Sequence, residues 1–173
     1  LTVYLTALKS TGVFVPIDRE LPCKDIINVL KHSDSEVLFY SEKYEKWINE
    51  IKENVPNIKF FIGLNRHKHE GNILSYDIFK ETGKNVLEQG SKIYTDLKDD
   101  ENKLKLLVYT SGTTGAPKGV MLTEHNLISV VYYGLKVADI GDKCLSVLPY
   151  HHTYEAVAGI LVELHKHSTI CIN

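Results

Sequence analysis

A chain of 173 residues, 43% hydrophobic and 24% charged, has the length of one ordinary domain with one core. Its formal net charge of −2 gives no electrostatic case for binding nucleic acid. No apolar run approaches the ~18 residues that a membrane-spanning helix needs, so no transmembrane segment is expected, while peripheral membrane contact stays open.

Leu1-Thr2-Val3-Tyr4 has neither the basic flank nor the cleavage-like site of a signal peptide. It reads instead as a helix with Val3, Leu5 and Leu8 on its apolar face and Gly12 as the C′ residue that ends it. Val13-Phe14-Val15 follows as a buried strand, stopped by Pro16. Pro22 to Lys31 sets Ile26, Ile27 and Leu30 on one helix face. Val37 to Tyr40 is the next strand. Glu42 to Asn54 reads as a helix with Trp47, Ile48 and Ile51 inside and Lys and Glu outside, and Lys59 to Ile62 as a strand. This alternation predicts an α/β fold with mainly parallel sheet.

Arg66 to Gly71 reads as a polar loop. Ser75 opens a helix carrying Tyr76, Ile78, Phe79, Val86 and Leu87, interrupted at Gly83 and closed at Gly90. The charge run Asp96 to Lys105 reads as a solvated linker. Leu106 to Tyr109 is an apolar run of strand length. Thr123 is a fitting N-cap for a helix through Ala138. Lys143 to Leu148 then reads as a strand, Ala156 to Leu164 as an apolar helix, and Ser168 to Ile172 as a closing strand. No internal repeat is visible.

Three sets of residues are candidates for chemistry. Cys23, Cys144 and Cys171 are odd in number and far apart, which suits reduced thiols in a cytoplasm better than a disulfide framework. His67-x-His69 and His165-x-His167 could each put two imidazoles on one side of a strand. Neither has companion ligands at zinc spacing, so solvent-exposed histidines are expected there. The third is Thr110-Ser111-Gly112-Thr113-Thr114-Gly115, with four hydroxyls and two glycines in six residues, followed by Lys118. Glycine lets successive backbone N–H groups approach and converge on an anion. Hydroxyls add donors for phosphate oxygens and Lys118 adds charge, so the loop suits a nucleotide triphosphate. It is not the P-loop of Gly, four residues, then Gly-Lys-Ser/Thr. Counting from Gly112, Pro117 stands where the second Gly belongs and Gly119 where the magnesium hydroxyl belongs.

The whole string from Leu106 to Asn126 resembles the phosphate-loop signature of the adenylate-forming superfamily, which includes acyl-CoA synthetases, luciferases and peptide-synthetase adenylation domains. Leu8-Lys9-Ser10-Thr11-Gly12-Val13-Phe14-Val15-Pro16-Ile17-Asp18 is similar to that superfamily's upstream core motif. There the motif is structural, so no chemistry is assigned to Asp18. Leu148-Pro149-Tyr150-His151-His152-Thr153-Tyr154-Glu155 resembles its second active-site signature, in the form most like the long-chain fatty acyl-CoA synthetases. A strand end followed by a helix start is also a usual place for ligand groups in open α/β sheets.

The resemblance implies part of an ATP-dependent ligase that joins a carboxylic acid to ATP as acyl-AMP and passes the acyl group to coenzyme A. It implies that Thr110, Ser111, Gly112, Thr113, Thr114, Gly115 and Lys118 hold phosphates, and that Thr110 helps bind Mg2+. It implies that His152 orients the carboxylate and shapes the acid pocket with Tyr154. A helix-cap histidine is the plain alternative for His152. The superfamily's acidic magnesium ligand, ribose-binding Asp and C-terminal Lys all lie downstream of these motifs. Residues 1–173 are therefore expected to be a fragment of the N-terminal adenylation domain, without the C-terminal domain. Alone the fragment would be inactive and would self-associate. An aryl-CoA ligase, a peptide-synthetase adenylation domain or a non-catalytic binding module remains as the alternative.

Overall fold

A computed structural model describes residues 1–10, 12–110 and 118–172. Helix α1 (Thr2–Lys9) buries Tyr4 and half-buries Val3, Leu5 and Leu8. It stops before Gly12. Ser10 caps it in an extended conformation, and the Gly12 N–H donates to the Ser10 hydroxyl at 3.0 Å. The expected strand around Val13 to Val15 amounts to one parallel bridge from Phe14 to Leu106, and Val13 is exposed.

The chain divides into two compact units, Leu21–Leu97 and the combination of Leu1–Glu20 with Lys98–Asn173. In the first of these, α2 (Cys23–His32) has Asp25 in its first turn and Lys31 and His32 in its last, which complements the helix dipole. It buries Ile26, Ile27, Val29 and Leu30. Asp34 takes φ 51° in the C′ place that glycine usually fills, which lets the Ser35 N–H reach the Leu30 carbonyl at 3.2 Å. Strands β1 (Val37–Tyr40), β2 (Phe60–Gly63) and β3 (Ile73–Ser75) pair in that order, all parallel. Parallel neighbours need a crossover between them. Between β1 and β2 it is a 3-10 helix, Glu42–Trp47, running into α3 (Ile48–Asn54). Ile48 and Ile51 are buried as expected, whereas Trp47 is only half-buried.

Helix α4 (Tyr76–Glu88) starts at the Ser75 cap and runs through Gly83 without the expected interruption. It ends at Gly90, whose φ of 87° is the left-handed conformation that glycine adopts without strain. None of its residues is buried. The core of this unit lies instead around Leu30, Ile48, Ile51, Phe61 and Ile62, each 2% exposed or less.

The second unit holds β4 (Leu104–Thr110), β5 (Lys118–Thr123), α5 (Glu124–Val137), β6 (Lys143–Ser146) and β7 (Thr169–Ile172). A π-helix, Glu155–Val162, continues into α6 (Glu163–His165). β6 and β7 are parallel, whereas β4 pairs antiparallel with β5. The fold is thus α/β with parallel sheets, as expected, but the strand that ends at Thr110 belongs to an antiparallel pair. Lys105 corrects the linker reading. It lies inside β4 at 4% exposure, donates to the Ser10 carbonyl at 3.0 Å and sits 3.3 Å from a Glu124 carboxylate oxygen. The core joins Tyr4, Leu106, Val108 and Leu127 to Ala156, Val157 and Ile160 of the π-helix. Among the described residues, no helix is long and apolar enough to cross a membrane.

Candidate active site

Two elements hold the ends of the hydroxyl- and glycine-rich stretch. The apolar run of β4 buries Leu106 and Val108 and so fixes where its last residue, Thr110, emerges. β5 returns directly alongside, with Thr110 opposite Lys118 and Tyr109 opposite Gly119. A Cβ on Gly119 would come within 2.9 Å of Leu107 Cδ1, so glycine leaves the Leu107 side chain its place over β5. Thr110 and Lys118 are both exposed, so a hydroxyl and an ammonium lie at the surface on neighbouring strands. Burial raises the pKa of Tyr109, one residue earlier. Ser111, Gly112, Thr113, Thr114 and Gly115 lie outside the described residues.

After β5, Thr123 and Asn126 form a capping box that starts α5 as expected. This box joins the strand to the helix without an intervening loop.

The histidine pair sits between β6 and the π-helix. β6 ends at Ser146 rather than Leu148. The His152 N–H donates to the Pro149 carbonyl at 3.0 Å, and the His152 carbonyl accepts from the Ala156 N–H at 3.0 Å. His152 therefore enters the helix with its backbone satisfied and its side chain exposed. Tyr154 is 70% exposed. His151 is the more enclosed of the two histidines. Its Nε2 lies 3.6 Å from Asp18 Oδ2, and its ring centroid is 4.4 Å from that of His152. Burial lowers the His151 pKa below the ordinary histidine value, Asp18 opposes that shift, and His152 and Arg19 add to it.

Sequence reasoning set Asp18 aside and preferred His152 to His151, so it missed the contact between Asp18 and His151. The signal was present, since Asp18 closes the Val-Pro-Ile-Asp string and His151 adjoins the chosen histidine. It also missed a buried pair, Ser146 and Glu155. Ser146 donates to the Glu155 carboxylate and lies 3.0 Å from the Tyr150 hydroxyl. A glutamate opening an apolar helix was the available hint. The two spaced histidine pairs are as expected: His67, His69, His165 and His167 are exposed. His69 Nδ1 accepts the Ser75 N–H at 2.9 Å.

A magnesium ion bound with a nucleotide keeps phosphate oxygens and waters as most of its ligands. The single exposed hydroxyl of Thr110 fits that role. Among the described residues, no cluster of His, Cys, Asp and Glu could hold a metal by protein atoms alone. An apolar groove of about 580 Å³ lies elsewhere in the same unit, lined by Leu5, Leu8, Leu127, Val131 and Leu161 among others. It includes neither Thr110, Lys118, His152 nor Tyr154, so volume alone does not mark the candidate site.

A family model described as AMP-binding enzyme matches residues 1–173. The mitochondrial malonate–CoA ligase ACSF3 of Homo sapiens is 32% identical over 160 residues, covering 90% of this chain and 24% of that protein. The long-chain-fatty-acid–CoA ligase ACSBG1 of Homo sapiens is 31% identical over 143 residues, covering 78% of this chain and 20% of that protein. The chain therefore spans about a quarter or less of the length of these relatives. The crystal structure of the anthranilate CoA ligase AuaEII in complex with anthranoyl-AMP matches with a TM-score of 0.80 at 19% identity. That match covers 99% of this chain and 32% of the other, a likeness of fold.

Proposed function

The chain belongs to the AMP-binding enzyme family, and on that premise we propose that its parent protein is an ATP-dependent acyl-CoA synthetase for long-chain fatty acids. In the first half-reaction a carboxylate oxygen attacks the α-phosphorus of ATP, forming acyl-AMP and releasing pyrophosphate. In the second, the coenzyme A sulfur attacks the acyl carbon, AMP departs with the bonding pair, and the thiol proton passes to solvent.

The pairing of Thr110 with Lys118 carries this reading. It sets a hydroxyl and an ammonium at the two ends of the stretch that supplies further hydroxyls and glycines. Thr110, Ser111, Gly112, Thr113, Thr114, Gly115 and Lys118 would hold the phosphates and offset the charge that grows on departing pyrophosphate. Thr110 would also lend its hydroxyl to Mg2+, whose contribution is to neutralise phosphate charge. His152 would orient the carboxylate for in-line attack, with Tyr154 beside the acid. The cytoplasmic location rests on the spacing of the cysteines.

The long-chain acid rests on the Leu148 to Glu155 string, and the 31% identity to a ligase named for long-chain fatty acids supports it. A short dicarboxylate is the second reading, favoured by the 32% identity to a malonate ligase. ATP–pyrophosphate exchange by the full-length protein, with fatty acids, malonate, aryl acids and amino acids, tests both. Exchange with long-chain acids is expected. Exchange with malonate alone selects the second reading, and activity confined to amino acids overturns both.

A further inference from the structure

We propose that Asp18 and His151 form a positioning pair that sets the orientation of the His152 imidazole. The inference rests on reading His152 as the group that orients the substrate carboxylate. Backbone hydrogen bonds fix where His152 enters its helix, but they leave its exposed ring free to turn about its side-chain bonds. The ring packs on His151 at 4.4 Å between centroids, tilted by 41°. His151 is itself held from the far side. Its side chain is 16% exposed, and its Nε2 lies 3.6 Å from Asp18 Oδ2, within ion-pair range though long for a hydrogen bond.

Asp18 is well placed to act as an anchor because its other oxygen is already engaged. Asp18 Oδ1 accepts the Glu20 N–H at 2.9 Å, which pins the carboxylate to its own turn. The upstream Val-Pro-Ile-Asp string, which carries no chemistry of its own, thus reaches the histidine pair through one side chain.

The titratable and charged groups facing His151 are Asp18, Arg19 and His152. Burial, Arg19 and His152 favour the neutral imidazole, and Asp18 alone among the named causes favours the cation.

The test uses the full-length enzyme with the variants D18N, D18E, H151Q, D18N/H151Q and, as reference, H152A. D18N and H151Q should each lower kcat/KM for the acid by about ten-fold, as a displaced rather than deleted group would. KM for ATP should stay unchanged. The double variant should be no slower than the slower single, and D18E should recover part of the loss. Removing Asp18 takes away the group that raises the His151 pKa, so the acid limb due to His151 should move to lower pH in D18N and vanish in H151Q. A merely structural role would not move that limb. Additive losses, or wild-type kcat/KM in D18N and H151Q while H152A is slow, would overturn the pair alone. Wild-type exchange by H152A would instead overturn the reading of His152, and the pair's role with it.

Discussion

The Tyr4 hydroxyl donates to the Ala156 carbonyl at 2.9 Å, a buried bond that ties α1 to the π-helix. Tyr4 and Ala156 are 6% and 2% exposed, and the Tyr4 ring leans on Phe14 with centroids 5.0 Å apart. Tyr4→Phe keeps the ring and removes the donor. The carbonyl then loses its side-chain partner where water does not readily replace it. The expected cost is about 1–2 kcal/mol, read as a lower urea midpoint at unchanged slope.

Alkaline pH should act through the same residue and one in the other unit. Burial raises the Tyr4 pKa, and burial, followed by the neighbouring Glu45, pushes Tyr40 up to about 12. An unfolded tyrosine titrates near ~10. Above that value the folded chain holds more protons than the unfolded one, so stability falls as pH rises. The contribution is complete below about pH 10 and is lost as pH climbs through the raised folded values. Urea midpoints measured between neutral pH and pH 12 should be flat and then decline, with a shallower decline in Tyr4→Phe and Tyr40→Phe. Equal slopes in all three proteins would show that these tyrosines do not drive the decline.

Gly159→Ala should destabilise the chain although alanine is the better helix former. A Cβ at this position would lie 2.7 Å from the Glu155 carboxyl carbon and 2.8 Å from each carboxylate oxygen. Glu155 is 4% exposed and accepts a hydrogen bond from Ser146, so its carboxylate has little freedom to move away. Overpacking of this kind costs about 1–3 kcal/mol. A melting temperature equal to or above that of the wild type would show that Glu155 can re-seat.

How far these features were legible in the sequence depends on the range of the interaction. The α2 face of Ile26, Ile27 and Leu30 and the Thr123 cap were readable, because periodicity and capping are local. The three residues of β3 are too few to show a period. In β5, Lys118 and Gly119 read as the tail of the loop, and the strand is evident only from its partner β4. Lys105 misled because it ends a charged run, whereas Glu124 and the Ser10 carbonyl satisfy it inside β4. In the candidate site, Thr110, Lys118 and His152 stood out by residue type. The contact of Asp18 with His151 did not, since it joins two distant segments that only folding brings together.

The loop's role can be tested without reference to its conformation. In the full-length enzyme, Thr113→Ala and Lys118→Ala should each slow adenylation by roughly 10²-fold, the usual loss for a donor aimed at developing charge. Because the effect belongs to the phosphates, it should appear equally with every accepted acid. Wild-type pyrophosphate exchange in both variants, with unchanged circular dichroism, would reduce the stretch to a turn between two strands.

The 173-residue chain by itself should associate with copies of itself. On α5, Ile128, Val130, Tyr132, Tyr133 and Val137 are between 49% and 86% exposed, and Leu145 and Val147 are 66% and 61% exposed. Singly exposed apolar side chains are ordinary, but this many on one helix and the strand region that follows leave a large apolar area in water. Among the described residues, β6 and β7 pair only with each other, which leaves backbone groups along their outer edges open to another chain. Static light scattering should give a mass that rises with concentration. Replacing Tyr133 and Val137 with lysine should bring it back toward that of one chain, because both are exposed and neither belongs to the core. A single-chain mass across the whole range would mean that these side chains tolerate water.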